Sequence, residues 1–306
     1  MPGFFKETFL TGNHTGLVDQ GLLQVVGFLP RLFQVLLAVF LISVEAVYLT
    51  MVVNRHEVLY KNTYLPALMY VILMSFGNDV VVFHQNLIIN FLLIFACDKI
   101  FSLFKNDQPV SLIFDCGLLL SVASLIYFPC VILFFFLLIV LTILRSVNLR
   151  EWGIAFVAFA LPYFFLAVYG FLTDSLDNGV AGMTENLTVG KTMVQPASII
   201  PSLHSSVLPF AALFLVLVLM SLMRLRSNFY KNSIKTRSVQ QVFLILSIFM
   251  VAEILLLKKI ELYHFTQLAV PCSIFLAYFY ITAQKRLWLY ETSFWILVVL
   301  IVQSYL

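Results

Sequence analysis

The sequence predicts an all-α protein, a polytopic transmembrane bundle of about ten spans. Three observations predict it. The first is composition: 62% of the 306 residues are apolar and 11% are charged, against about 45–50% and about 25% in soluble domains. The second is length: most apolar runs approach the roughly 20 residues that a helix needs to cross hydrocarbon with its backbone satisfied. The third is charge placement: basic residues concentrate in alternate connectors. This composition excludes a soluble enzyme, a disordered chain and a disulfide scaffold. The net charge of +3, with no basic stripe or arginine-rich tail, excludes a nucleic-acid partner.

The elements follow in chain order. Residues 1–31 form an N-terminal segment in which Gly21 to Arg31 has the composition of a short interfacial helix. No basic region runs directly into an apolar one there, so the first span is expected to act as its own insertion signal. Apolar runs cover roughly 32–53, 63–78, 87–104, 110–127, 129–144, 153–172, 206–223, 240–257, 264–282 and 287–305. The second and fifth are short, which leaves nine spans as the alternative count. Pro129 parts the fourth from the fifth with almost no loop. That pair reads as a tight hairpin, with the proline opening the later helix where its missing N–H costs little. Residues 173–205 form the one long polar connection within the transmembrane region 32–306. Connections of that length are usually functional or disordered.

Orientation follows from lysine and arginine. One set of connectors carries Arg55, Lys61, Lys99, Lys105, Arg145, Arg150, Arg224, Arg226, Lys231, Lys235, Arg237, Lys285 and Arg286. The other carries Lys6, Arg31, Lys191, Lys258 and Lys259. The richer set is expected on the cytoplasmic side. Both termini and the 173–205 loop then lie outside, and the protein is expected in a bacterial inner membrane with the lipid bilayer as its first partner.

Charges within spans are the strongest hints of function in such a protein. Glu45 lies near the middle of the first run and Glu253 near the outer end of the eighth. Each is a proton carrier, a general base or metal ligand, or else a pairing residue that locks helices together. On the outer side Asp79, Asp174 and Asp177 are candidate catalytic acids, able to activate an acceptor hydroxyl or hold a divalent metal. Lys258, Lys259 and Tyr263 lie in the densest outer cluster, Lys258-Lys259-Ile260-Glu261-Leu262-Tyr263-His264, where the paired lysines could hold a phosphate group. His14, His84, His204 and His264 map to the outer side and His56 to the inner. No His-x-x-x-His or His-x-x-His spacing supports a metal centre, so no cofactor is expected, with a divalent metal as the alternative. The four cysteines lie in apolar runs without a C-x-x-C pair and read as small buried hydrophobes. Phosphate-loop, dinucleotide and nucleophile-elbow patterns are absent.

Two resemblances accompany these readings. Phe114-Asp115, the Tyr127-Phe128-Pro129 hairpin and Asn148-Leu149-Arg150-Glu151-Trp152 carry the first. With Asn86 to Asn90 and Leu161-Pro162-Tyr163, they resemble an uncharacterised family of inner-membrane proteins of Bacteroidota over most of 54–306. The second rests on the tight proline hairpin, the basic inner loop and the segment Lys258 to His264 followed by Pro271 and Ala277-Tyr278. It is similar to the membrane-embedded C-type glycosyltransferases, and implies that Lys259 and Tyr263 help hold a polyprenyl-phosphate donor. Those enzymes carry a catalytic carboxylate after their first span. Here Asp19 or Glu7 stands nearest that role, a departure that implies a catalytically degenerate relative. Two function classes result: a non-catalytic subunit or scaffold of a cell-envelope assembly, and an outer-face glycosyltransferase-like enzyme using a polyprenyl-phosphate-linked sugar.

Overall fold

A computed structural model describes residues 30–76, 81–104, 106, 109–145, 148–173, 207–255, 262–282 and 287–304. Among them 88% are helical and none is in a strand. Ten α-helices follow one another: α1 (Arg31–Arg55), α2 (Leu65–Met74), α3 (Gln85–Ser102), α4 (Pro109–Ile126), α5 (Leu133–Leu144), α6 (Leu149–Leu172), α7 (Val207–Asn228), α8 (Ile234–Leu255), α9 (Ala269–Ile281) and α10 (Leu287–Ser304). Short 3-10 segments, Phe128–Ile132 and Leu262–Leu268, lead into α5 and α9.

Each apolar run of the sequence is thus a helical segment, with ends shifted by a few residues. Seven are long and apolar enough to cross a membrane, counting Tyr263–Ile281 as one run; the shorter three are Leu65–Met74, Phe128–Leu144 and Tyr290–Ser304. At 25 residues, α1 spans roughly 37 Å, more than the hydrocarbon core requires. With 10 residues, α2 reaches only about 15 Å. It compensates by packing between α1 and α9, with Met69, Tyr70 and Met74 buried.

Side-chain bonds between connectors show which loops share an end. Arg55 reaches Asp98 at the end of α3, and Arg145 donates to the carbonyl of Asn106. Thr236 and Gln240 of α8 donate to the carbonyls of Glu57 and Val58. Tyr60 donates to Ile281 and Arg224 to Thr282. The connectors richest in lysine and arginine therefore meet at one end of the bundle, as their alternation requires. The bond from Arg145 also shows that α5 returns to the end where α4 began. The turn at Pro129 is a hairpin, with the proline opening the 3-10 segment before α5.

Among the described residues the most extensively packed helix pair is α4 with α6. On α4 the residues Gly117, Ser121 and Ser124 fall on one face, and α6 answers with Ala155 and Ala158, both fully buried. A Cβ on Gly117 would lie 2.8 Å from the Ala158 Cβ and 3.1 Å from the Ala155 carbonyl oxygen. The Ser121 hydroxyl donates to the Phe159 carbonyl at 2.6 Å, and the Ser124 and Tyr163 hydroxyls bond at 2.7 Å. In lipid, where burial of apolar area gives no net drive between helices, such close backbone approach and polar contact supply the attraction.

Gly117→Ala is expected to force α4 and α6 apart and cost about 1–3 kcal/mol. Gly153→Ala, on α6 with nothing within 4 Å of the added carbon, is expected to be neutral or to stabilise by up to about 1 kcal/mol. Thermal unfolding of both variants in detergent checks the contrast; equal behaviour would refute the close approach.

Candidate functional site

The end of the bundle opposite the basic connectors owes its form to Pro129 and Pro271. Pro271 has no N–H to give the Gln267 carbonyl, and its ring crowds that oxygen. The two turns before it wind as a 3-10 helix, Leu262–Leu268; the Thr266 hydroxyl donates to the Tyr263 carbonyl within it at 2.6 Å, and α3 supplies further donors from outside. Asn86 and Asn90 lie one turn apart on α3, on one face. The Asn86 side-chain amide donates to the Tyr263 carbonyl at 2.9 Å, and that of Asn90 to the Thr266 carbonyl at 3.2 Å. A carbonyl can only accept, so the nitrogen of each amide faces the segment.

From Asn90 the bonds continue across two more helices. The same amide nitrogen donates to the Tyr70 hydroxyl of α2 at 3.2 Å, and that hydroxyl donates to Glu45 Oε2 of α1 at 2.7 Å. On the far side of the 3-10 segment, the Cys130 thiol lies 3.4 Å from Glu253 Oε1 and the Gln267 amide 3.8 Å from the same sulfur. Tyr127 and His264 bond at 3.0 Å through the hydroxyl and Nδ1. His84 donates from Nδ1 to the Val82 carbonyl at 2.8 Å. Its Nε2 lies 3.4 Å from the Thr266 hydroxyl. Burial holds the His84 imidazole down at about 4, so it is neutral.

Glu45, Asn86 and Asn90 are 0% exposed and Glu253 is 1% exposed. In each, one oxygen has no hydrogen-bond partner among the described residues: Glu45 Oε1, Asn86 Oδ1, Asn90 Oδ1 and Glu253 Oε2. The unmet groups at this end are all acceptors. Buried polar groups are normally paired, so Glu45, Asn86 and Asn90 mark the site, and Glu253, bonded to Cys130, is a separate unmet acceptor.

Of the residues singled out in the sequence, Glu45 and Glu253 take part in this network on opposite sides of the 3-10 segment. Tyr263 contributes its carbonyl to Asn86, and its ring centroid lies 4.1 Å from that of His264 and 5.8 Å from that of His84. Asp79, Asp174, Asp177, Lys258 and Lys259, most of the 173–205 loop, and residues 1–29 lie outside the described residues, as do His14 and His204. No group of three or more His, Cys, Asp or Glu side chains able to hold a metal occurs among the described residues. Tyr70, Cys130, Thr266 and Gln267 were not singled out as site residues. Nor were Asn86 and Asn90, though two asparagines four apart within an apolar run were a legible signal.

At the basic end a second cluster centres on Asp98, which is 7% exposed. It accepts from Arg55 at 3.0 and 3.2 Å, from His56 Nε2 at 2.9 Å and from Tyr48 at 3.3 Å. Burial pushes the His56 imidazole below its ordinary value, outweighing the opposing pull of Asp98. The ring is neutral and donates Nε2–H to the carboxylate.

No family model, curated protein or solved structure matches this chain. Both resemblances drawn above rest on its residues alone.

Two outcomes follow. Tyr70→Phe removes the donor to Glu45 and an acceptor of Asn90 together, and is expected to lower stability by about 1–3 kcal/mol, read by thermal unfolding in detergent; an unchanged transition would refute the chain of bonds. For His56, the depressed folded value means the unfolded chain binds the proton first. Its contribution is complete above the ordinary value of about 6.5 and is lost as pH falls through the lower folded value. His56→Gln should flatten the decline in melting temperature between about pH 7 and pH 5.

Proposed function

We propose that the chain is a ten-span protein of the bacterial inner membrane, with its basic end in the cytoplasm and both termini outside. We further propose that it serves as a non-catalytic subunit or scaffold of a cell-envelope assembly. The convergence of basic connectors at one end supports the orientation, because such connectors are retained in the cytoplasm.

One observation carries the scaffold reading. The polar side chains of the interior are used to join helices: α1 to α2 through Glu45 and Tyr70, α2 to α3 through Asn90, and α3 to the lead-in of α9 through Asn86 and Asn90. The long helices at the margin are scarcely covered. Only 11% of the apolar window of Leu149–Leu172 and 22% of that of Pro209–Asn228 is buried against the rest of the chain. Phe156, Val157, Phe164, Phe165 and Tyr169 point outward from α6. A fixed interior with long apolar faces turned outward is the form of a subunit that packs beside other spans.

A second reading, the outer-face glycosyltransferase-like enzyme with a polyprenyl-phosphate-linked sugar donor, draws on a different observation. Tyr263, His84 and His264 gather at the end opposite the basic connectors, and Tyr263 and His264 follow positions 258 and 259 closely in the chain.

Affinity purification in mild detergent separates the two. The scaffold reading expects partner membrane proteins at fixed stoichiometry, retained unchanged in Lys259→Glu. A chain that purifies alone, binds lipid-linked sugar and loses that binding in Lys259→Glu would overturn it in favour of the transferase.

A further inference from the structure

The unmet oxygens around Glu45 form a set that the scaffold reading does not use. Among the described residues Glu45 receives one hydrogen bond, from Tyr70 to Oε2. No lysine, arginine or histidine among them forms an ion pair with it. Its Oε1 is buried and unpaired, as is Oδ1 of Asn90, whose amide nitrogen shares the Tyr70 hydroxyl with Glu45. Asn86 adds a third unpaired oxygen one helical turn away on the same face of α3. Both asparagines are held with nitrogen toward the 3-10 segment, so their oxygens are not free to exchange roles with their donors.

The chemistry of this set is specific. It contains three oxygens and no nitrogen or sulfur, and such donors suit hard cations. It carries one carboxylate, so a single positive charge balances it. Glu253 is bonded to Cys130 across the 3-10 segment and is not counted in the set. A water molecule could meet two of these acceptors but would leave the charge unbalanced. A span whose α-helical winding gives way to a 3-10 segment beside a buried carboxylate is also a setting in which membrane proteins hold small ions. The geometry points to a binding site for one small monovalent cation of sodium size, formed by Glu45, Asn86 and Asn90 between α1, α2 and α3. The site goes beyond the scaffold reading and stands or falls separately from it.

The test uses the full chain purified in detergent at fixed pH and ionic strength, with sodium exchanged for choline. Sodium is expected to raise the melting temperature saturably, and radioactive sodium to bind at one equivalent per chain. Glu45→Gln should weaken binding about tenfold or more, whereas Glu253→Gln should leave it unchanged. If Glu45→Gln does not fold, Asn86→Ser provides the same comparison, with weakened binding expected. Indifference of the wild type to sodium would overturn the site. So would a stabilisation that follows pH alone, which assigns the charge balance to protons, or a loss of binding confined to Glu253→Gln.

Discussion

The amide nitrogen of Asn90 is the tie on which one end of this bundle depends. It meets the Tyr70 hydroxyl and the Thr266 carbonyl together, and so joins α2, α3 and the segment before α9. Through Tyr70 it also reaches Glu45 on α1. The constraint behind it is the lack of water in hydrocarbon: a carbonyl freed from helix bonding must find a donor within the protein. The segment before α9 winds as a 3-10 helix, and α3 supplies donors to its Tyr263 and Thr266 carbonyls at the spacing of one turn.

The two ends of the molecule solve different problems. At the basic end three acids are paired, Asp98 with Arg55, Asp115 with Lys99 and Glu151 with Arg145, and Asp98 also accepts from the neutral His56. Arg55 remains 59% exposed there, so solvent screens much of that attraction. At the other end Glu45 and Glu253 are buried, and their described bonds come from a hydroxyl and a thiol. The difference between screened pairs and buried, incompletely met acceptors is what separates a structural cluster from a candidate site.

Much of the architecture was legible because hydrocarbon imposes a length and a composition on each crossing. All ten apolar runs reappear as helical segments, and the shortness of the second is real. Glu45 and Glu253 stood out because a carboxylate is expensive in an apolar run. What the sequence did not show is which side chains meet them. Tyr70 and Glu45 are 25 positions apart, Asn90 and Thr266 are 176 apart, and Cys130 and Glu253 are 123 apart. Neutral polar residues also carry little signal singly, since a lone threonine or glutamine in an apolar run can bond its own helix. Cys130 read as a small hydrophobe, and its contact with Glu253 depends on a hairpin that brings it beneath α8.

The dependence of Leu262–Leu268 on Asn86 and Asn90 has a bearing on how the protein is made. The donors lie in the first third of the chain and the carbonyls that need them near its end. A chain released from the ribosome N-terminus first delivers α3 to the bilayer well before the Tyr263 and Thr266 carbonyls are made. The earlier helices act as a template, and the irregular turn enters a membrane that already holds its partners.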